Sequence, residues 1–405
     1  MQAVKNPLKD RACNNVDHLS PRLIEVSDKM YQEPEIGLQE FKSSKALVSL
    51  LEGAGFEVRT GLADMPTSFV AVKNGRPGGP TVAILAEYDA LPEIGHGCGH
   101  NIIGTAGVGA GMALAGLMDE LPGTLMIVGS PAEEGAVDGA GGKVRLLKAG
   151  VFKGVDAAIM FHPSQRDMVM ATSNARVALE ISFKGKTAHA AGAPHEGINA
   201  LDAAILTFNN WNALRQQLKE DVRIHGIITK GGVSPNIIPD YAEIRMYCRA
   251  NDMTYLAEVE KKVRACAEGA ALATGAKVSF RYTAETYSNL VTNEALANAF
   301  AANLEALGRK VQAPEAKAGG GSTDMANVSH EVPSVHAYVA ICKPGQAASH
   351  SREFAQATIS EAGHKGLLDG AKALAMTAID IFTDKALLEA AKKEFSARFP
   401  NKNPA

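Results

Sequence analysis

Four short segments gather the side chains able to bind a metal or move a proton. Glu87-Tyr88-Asp89-Ala90-Leu91-Pro92 runs on to Cys98-Gly99-His100-Asn101. Ser130-Pro131-Ala132-Glu133-Glu134-Gly135 holds two adjacent glutamates, and Phe161-His162-Pro163 and Ser349-His350-Ser351 each offer one histidine. Thiolate, imidazole and carboxylate are ligands that zinc accepts, and manganese or cobalt can use them too. A mixture so poor in cysteine is the chemistry of a catalytic site that keeps a position open to water, not of a Cys-rich structural site. In the glutamate pair, one carboxylate can hold metal while its neighbour takes the proton of the attacking water.

Each segment taken alone has a plainer reading. Cys98 fits a buried, inert thiol, and Glu133-Glu134 fits the solvated first turn of a helix. His162 fits an ordinary half-buried histidine, and His350 a polar surface loop. His96 is read as shaping its loop, and His18, His195, His225, His330, His336 and His364 as non-catalytic. Their shared placement argues otherwise: each segment follows an apolar run with strand character, at Thr81 to Ala86, Thr124 to Val128, Ala157 to Phe161 and Ser334 to Cys342. Ligands of open α/β sheets collect at the carboxyl ends of strands.

The elements that must position these residues follow from periodicity. Pro21 to Tyr31 and Gln39 to Ala54 have helical spacing, and Ser68 to Val72 has strand character. Gly75 to Pro80 is a turn, and Gly104 to Met118 is a helix rich in Gly and Ala. Glycine is a poor helix former, so close packing of that helix on a sheet is expected. Lys143 to Ala149 is helical and ends at Gly150. Unbroken apolar strands alternating with helices predict an α/β fold, a mostly parallel sheet covered on both faces. The pattern changes near Ser173. Arg176 to Lys184 alternates, Asn199 to Leu218 is an amphipathic helix, and Val222 to Lys230 and Ile237 to Tyr247 are strands. Leu256 to Thr274 is a helix and Lys277 to Tyr282 a strand. That β-α-β-β-α-β order is the split motif of a ferredoxin-like α+β domain. The first pattern then resumes with a helix at Asn293 to Leu307, a glycine loop, the strand from Ser334, and helices from Ile359 to Ala391. The expected organisation is a discontinuous domain, 1–173 and 287–405, with a second domain, 174–286, inserted into it.

Composition sets outer limits. A chain of 405 residues is long for one core. Its net charge of -3, with no basic run, argues against nucleic acid or an anionic membrane as partner. No apolar stretch is long enough to span a bilayer, and Met1 to Asn15 has no apolar core of a signal peptide. The five cysteines, Cys13, Cys98, Cys248, Cys266 and Cys342, are scattered and odd in number, which fits a reducing cytoplasm and no disulfide framework.

These residues resemble a family, the cocatalytic metallopeptidases that include aminoacylase, carboxypeptidase G and succinyl-diaminopimelate desuccinylase. Within it the chain is most similar to the amidohydrolase branch, with its p-aminobenzoyl-glutamate and auxin-conjugate hydrolases. The resemblance runs from Pro34-Glu35-Ile36-Gly37 to Ser349-His350-Ser351. It implies a zinc-exopeptidase-like catalytic domain and makes the insert a lid and dimerisation domain. It implies one or two divalent ions (Zn or Mn, with Co as a further option) held by Cys98, His100, Glu134, His162 and His350, with Asp89 orienting a ligand and Glu133 as general base. Gly185-Lys186-Thr187-Ala188-His189 looks like the lid motif, whose histidine, here His189, helps hold the oxyanion. Asn236, Arg249 and the loop Gly320-Gly321-Ser322 match groups that bind the substrate, Arg249 its carboxylate. Where the peptidase branch has His-x-Asp, this chain has Glu87-Tyr88-Asp89; the first histidine is absent, and Cys98 and His100 take over.

The expected activity is metal-dependent hydrolysis of an N-acyl or N-aroyl amino acid, or of a dipeptide, by a homodimer joined through the insert. Two other readings compete: a non-catalytic acyl-amino-acid binding protein, and cysteine-nucleophile catalysis by Cys98 with His100.

Overall fold

The computed structural model describes residues 6–313 and 321–402. The chain falls into two compact units. One holds the described chain up to Thr172, residues 290–313, and Thr323 on; the other holds Ser173–Asn289 with Gly321 and Ser322.

The first unit opens with α1 (Pro7–Gln32), which Asn6 caps by accepting from the Leu8 N–H. The sequence marks only its second half. The helix runs through Pro21, and Ala12 and Val16 continue the buried stripe of Leu23, Val26 and Met30; two small apolar residues ahead of a proline give periodicity too little to detect. Next come α2 (Phe41–Gly53), β1 (Glu57–Thr60), β2 (Phe69–Asn74) and β3 (Arg76–Glu87), then α3 (His100–Ala115), β4 (Pro122–Ser130), α4 (Gly142–Lys148) and β5 (Ala157–Ser164). Residues 76–80, expected as a turn, are the start of β3, where the pairing with β4 shifts register between Arg76 and Thr81.

The second unit contains β6 (Ala175–Lys184), α5 (Ala200–Leu214), β7 (Arg223–Lys230), β8 (Tyr241–Ala250), α6 (Met253–Thr274) and β9 (Lys277–Tyr282). Its sheet has the order β7-β8-β6-β9 with every neighbour antiparallel, the ferredoxin-like arrangement. Helices α5 and α6 cover the face that carries Val177, Leu179, Ile181 and Phe183. The strand expected from Ile237 starts at Tyr241. Residues ahead of it form a loop, in which the Ala190 N–H donates to the Asn236 carbonyl at 3.0 Å.

The chain returns to the first unit with α7 (Glu294–Ala306), α8 (Met325–Ser329), β10 (Ser334–Ala340), α9 (Arg352–Thr358), α10 (Glu361–Thr383) and α11 (Lys385–Arg398). Its sheet has the order β1-β2-β4-β3-β5-β10. β4, β3, β5 and β10 run parallel, while β1 and β2 form an antiparallel edge. On β3, Val82 and Ile84 enter the core shared with α1, α3 and α10, and Ala83 and Leu85 the core shared with α4 and α8. Burial on both faces is why this strand reads as an unbroken apolar run. The glycines of α3 act as expected. A Cβ at Gly104 would lie 2.6 Å from the Glu87 carbonyl oxygen, and one at Gly107 3.0 Å from that of Leu85. Helix α3 therefore rests directly on β3 and brings its first residue, His100, to the strand's carboxyl end. Among the described residues no helix is long and apolar enough to cross a membrane.

Candidate metal centre

All four chemical segments meet at the carboxyl ends of the parallel strands of the first unit. β3 ends in Glu87, β4 leads into Glu133 and Glu134, β5 contains His162, and the loop after β10 carries His350. Three backbone positions there are left-handed without being glycine, Glu93 at φ 61°, Ala132 at φ 54° and His350 at φ 66°. Such conformations persist only where the surroundings impose them. Glu40 does so for Ala132: one carboxylate oxygen accepts from the Ala132 N–H at 2.9 Å, the other from the Thr67 hydroxyl at 2.8 Å. The His350 N–H donates to the Gly97 carbonyl at 2.9 Å, tying the last histidine to the Cys98 loop.

Among the described residues the donor atoms fall into four overlapping sets, the fourth being Glu87, Glu133 and Asp324, and two of the four share Cys98. Cys98, His100 and His162 bring donor atoms within 4.8 Å of one another, and so do Cys98, Glu134 and His350. The Cys98 thiol is thus common to two of the candidate donor sets. His100 Nδ1 is 2.9 Å from Asp89 Oδ1, and Asp89 Oδ2 accepts from the Glu134 N–H at 3.0 Å. A carboxylate beside Nδ1 makes that nitrogen a donor; burial lowers His100, but Asp89, then Glu87 and Glu134, outweigh it and raise the imidazole well above its usual range, so a metal at Nε2 must displace a proton. His162 Nδ1 is also a donor, since it lies 2.7 Å from the Pro163 carbonyl, which can only accept.

These residues fit a divalent ion. His100 Nε2, Glu134 Oε1 and Glu87 Oε2 are buried with no hydrogen-bond partner. His100 Nε2 lies 3.6 Å from Glu87 Oε2 and 4.0 Å from Glu134 Oε1, and His350 Nε2 lies 3.8 Å from Glu134 Oε1. Buried polar atoms left so are costly unless something between them binds them. Burial and the nearby His100 lower His162 to about 4, so its imidazole is neutral, as a ligand must be. Burial, then Glu134, pushes the Cys98 thiol well up. A thiol held protonated is a poor nucleophile, which counts against cysteine catalysis; a metal displaces that proton on binding.

Glu133 is buried and belongs to a third set, with His100 and Glu134. Burial raises its carboxyl well above the usual range, helped by the charges of Glu87, Glu134 and Asp324. A carboxylate with raised proton affinity is what a general base needs.

One group was not picked out by residue type and spacing. Lys143, at the start of α4, is fully buried. Its ammonium donates to Glu87 Oε1 and, at 2.5 Å, to Asp324 Oδ1, while its N–H donates to Asp324 Oδ2 at 2.9 Å. Burial alone would raise Glu87, but Lys143, then His100 and His162, outweigh it and hold the carboxyl at about 2. The signal was present in the sequence: Lys143 stands among Gly142, Val144 and Leu146, all buried on that short helix. His336, read as non-catalytic, is buried with both ring nitrogens unpartnered and its centroid 5.8 Å from that of His162. His96 accepts from the Asn101 N–H at 3.2 Å, a loop-shaping contact.

The remaining predicted site residues lie in the second unit. His189 is exposed, and its Nδ1 accepts from the Gly192 N–H at 3.0 Å. Asn236 is exposed on the loop that pairs with the His189 segment. Arg249, half-buried on β8, donates from Nη1 to Ser322 Oγ at 3.1 Å, and the Gly321 carbonyl accepts from the Asn174 N–H at 2.8 Å. Gly320 lies outside the described residues.

The chain is similar to several known proteins. A profile described as Peptidase family M20/M25/M40 matches residues 83–378. An Xaa-Arg dipeptidase of Mus musculus is 39% identical over 96% of this chain and 93% of its own length. One polypeptide of the p-aminobenzoyl-glutamate hydrolase of Escherichia coli is 30% identical over 92% of both chains. A solved Bacillus subtilis structure, described as a dinuclear metal-binding peptidase of the M20 family, superposes with a TM-score of 0.66 at 24% identity, covering 90% of this chain and 99% of its own.

Proposed function

The chain belongs to peptidase family M20/M25/M40 and is a metal-dependent hydrolase of amide bonds; from there we propose that it cleaves N-acyl or N-aroyl amino acids or dipeptides, with Glu133 as general base. The observation that carries this reading is the pair of donor sets sharing Cys98, with Glu133 buried beside them.

Cys98, His100, Glu134, His162 and His350 would hold one or two divalent cations, Zn or Mn, with Co as an alternative. When bound, the cation would supply a Lewis acid able to polarise the scissile carbonyl and acidify the attacking water. The chain's own residues do the rest. Asp89 fixes His100 and, through the Glu134 N–H, the glutamate pair in one geometry. Glu133 takes the proton of the attacking water and returns it to the leaving amine. Family resemblance supports His189 as a donor to the oxyanion, and Asn236, Arg249 and the loop at Gly321 and Ser322 as readers of the substrate carboxylate. Exposed apolar residues on the second unit, Ile205 and Ile227 among them, support a homodimer formed through it.

The test is hydrolysis of a panel of N-acyl amino acids, p-aminobenzoyl-glutamate and dipeptides with added Mn, Zn or Co. Because one relative is an Xaa-Arg dipeptidase, dipeptides ending in arginine belong in the panel. Chelator-sensitive turnover of one class is expected. Full turnover by a metal-replete Glu133→Ala protein would remove Glu133 from its role, and stoichiometric metal with no turnover of any amide would favour a binding protein.

A further inference from the structure

The second unit buries a charge that the hydrolytic chemistry leaves unused. Odd-numbered side chains of β6 from Val177 to Phe183 pack under α5 and α6, so Arg176 projects from the opposite face of the sheet. Register sets Arg176 opposite Arg249 on β8, and Arg249 opposite Arg223 on β7. Residues directly opposite share a face at a Cβ spacing of about 5 Å, and like charges so placed repel. A cross-strand row of three guanidiniums favours an anion on that face.

Arg176 is the buried end of the row, at 3% exposure. Its guanidinium carbon lies 3.9 Å from the Tyr287 ring centroid and 4.9 Å from that of Tyr247. The ring faces offset part of the charge, but they leave the in-plane N–H donors unmet. Nε and Nη2 are both buried with no hydrogen-bond partner. Those two nitrogens share one edge of the guanidinium and form the parallel fork that receives both oxygens of a carboxylate. Just ahead on the chain, Ser173 Oγ and Asn174 Oδ1 are also buried and unpartnered; the hydroxyl is a further donor, and the amide becomes one on rotation. A water would meet single donors, but it brings no charge to offset a buried cation.

We infer that the Nε/Nη2 fork of Arg176 is a carboxylate-binding site, filled side-on by a small organic acid. Arg249 adds positive charge from the neighbouring strand, and its guanidinium also lies near the Tyr247 ring, 5.7 Å from the centroid. The carboxylate comes either from the substrate or from a separate acid retained by the protein. Only its identification with the substrate rests on the hydrolase reading; the fork does not.

Binding of acetate, glutarate and N-acetylglycine to the full-length, metal-replete protein, followed by calorimetry and thermal shift, tests this, with glutaramide as the uncharged match to glutarate. At least one carboxylate should bind and glutaramide should not. Arg176→Met should weaken that carboxylate roughly ten- to hundredfold, the loss expected for a charge-assisted bidentate pair. Arg176→Lys, which keeps the charge without the fork, should also bind it more weakly, and it serves if the Met variant fails to fold. A parallel rise in KM at little-changed kcat assigns the carboxylate to the substrate, whereas lost binding with unchanged KM assigns it to a separate acid. Unchanged carboxylate affinity in both variants, binding of none of the three acids, or equal binding of glutaramide overturns the inference. Chelator-sensitive hydrolysis by the unaltered protein stands or falls apart from these results.

Discussion

At the scale of single residues, the proposed centre separates groups that would hold a metal from groups that would tune it. Glu133 makes the sharpest case, because its neighbour Glu134 bears the same carboxylate group yet joins Cys98 and His350 in a donor set. Glu133→Gln removes the proton acceptor and keeps the shape, so kcat should fall at least about a hundredfold while metal content, measured by mass spectrometry of the dialysed protein, stays unchanged. Glu134→Gln should instead lower metal content. Lys143 belongs to the tuning class. It is the buried partner of Glu87 and Asp324, and deleting one member of a buried ion network leaves the others uncompensated. Lys143→Met should therefore cost about 3–5 kcal/mol of stability, read from the denaturant midpoint, since it strands two carboxylates. A loss below about 1 kcal/mol would mean that those carboxylates recover by taking up protons.

At the scale of elements, the strand ends were legible because strands buried on both faces read as apolar runs, and the chemistry lies just past them. What stayed illegible has physical causes. β1 is only four residues long and mostly exposed, too short to show alternation. The first half of α1 lies ahead of an internal proline. Lys143 and Asp324 lie 181 residues apart, and no local pattern reports a pairing of that kind. Nor does local pattern report the support of the Glu133 loop. Glu40 buttresses left-handed Ala132 across the fold, and burial, followed by the Asp89 charge, lifts its carboxyl from 4.5 to about 7. The folded protein then holds this proton more tightly than the unfolded chain. The stability Glu40 contributes is complete below about pH 4.5 and is lost as pH rises through about 7. In metal-stripped protein, thermal midpoints should fall between about pH 5 and about pH 8, and Glu40→Gln, which keeps an acceptor for the Ala132 N–H, should flatten the fall. The packing of α3 on β3 is testable by Gly104→Ala: a Cβ 2.6 Å from a backbone oxygen forces helix and strand apart, for a cost of about 1–3 kcal/mol. Because that oxygen belongs to Glu87 and α3 begins at His100, metal affinity should weaken in the same variant.

At the scale of the whole molecule, the proposed homodimer makes the most exposed demand on the second unit. β7 is an edge strand of its sheet, and two of its apolar side chains are exposed, Ile227 at 65% and Ile228 at 39%, while Ile224 is buried. Edge strands that remain monomeric are usually protected by charge, proline or a bulge. The irregularity in the pairing of β7 with β8 is a register shift between Ile228 and Lys230, beyond both isoleucines. An edge that carries two exposed isoleucines is suited to pairing with another strand, and the same edge of a second copy meets it under twofold symmetry. Ile227→Lys places a charge in the middle of that edge without touching the core of the unit, so the fold should survive while association fails. Light scattering coupled to size-exclusion chromatography should report a dimer for the unaltered protein and a monomer for the variant, with far-UV circular dichroism unchanged. The proposed metal ligands all lie in the first unit, so the monomeric variant should still bind metal in full. If the oxyanion donor His189 comes from the partner copy, kcat should fall with the dimer; if it acts within its own chain, turnover should outlast dissociation. A variant that stays dimeric with Ile227 replaced by lysine would place the interface elsewhere.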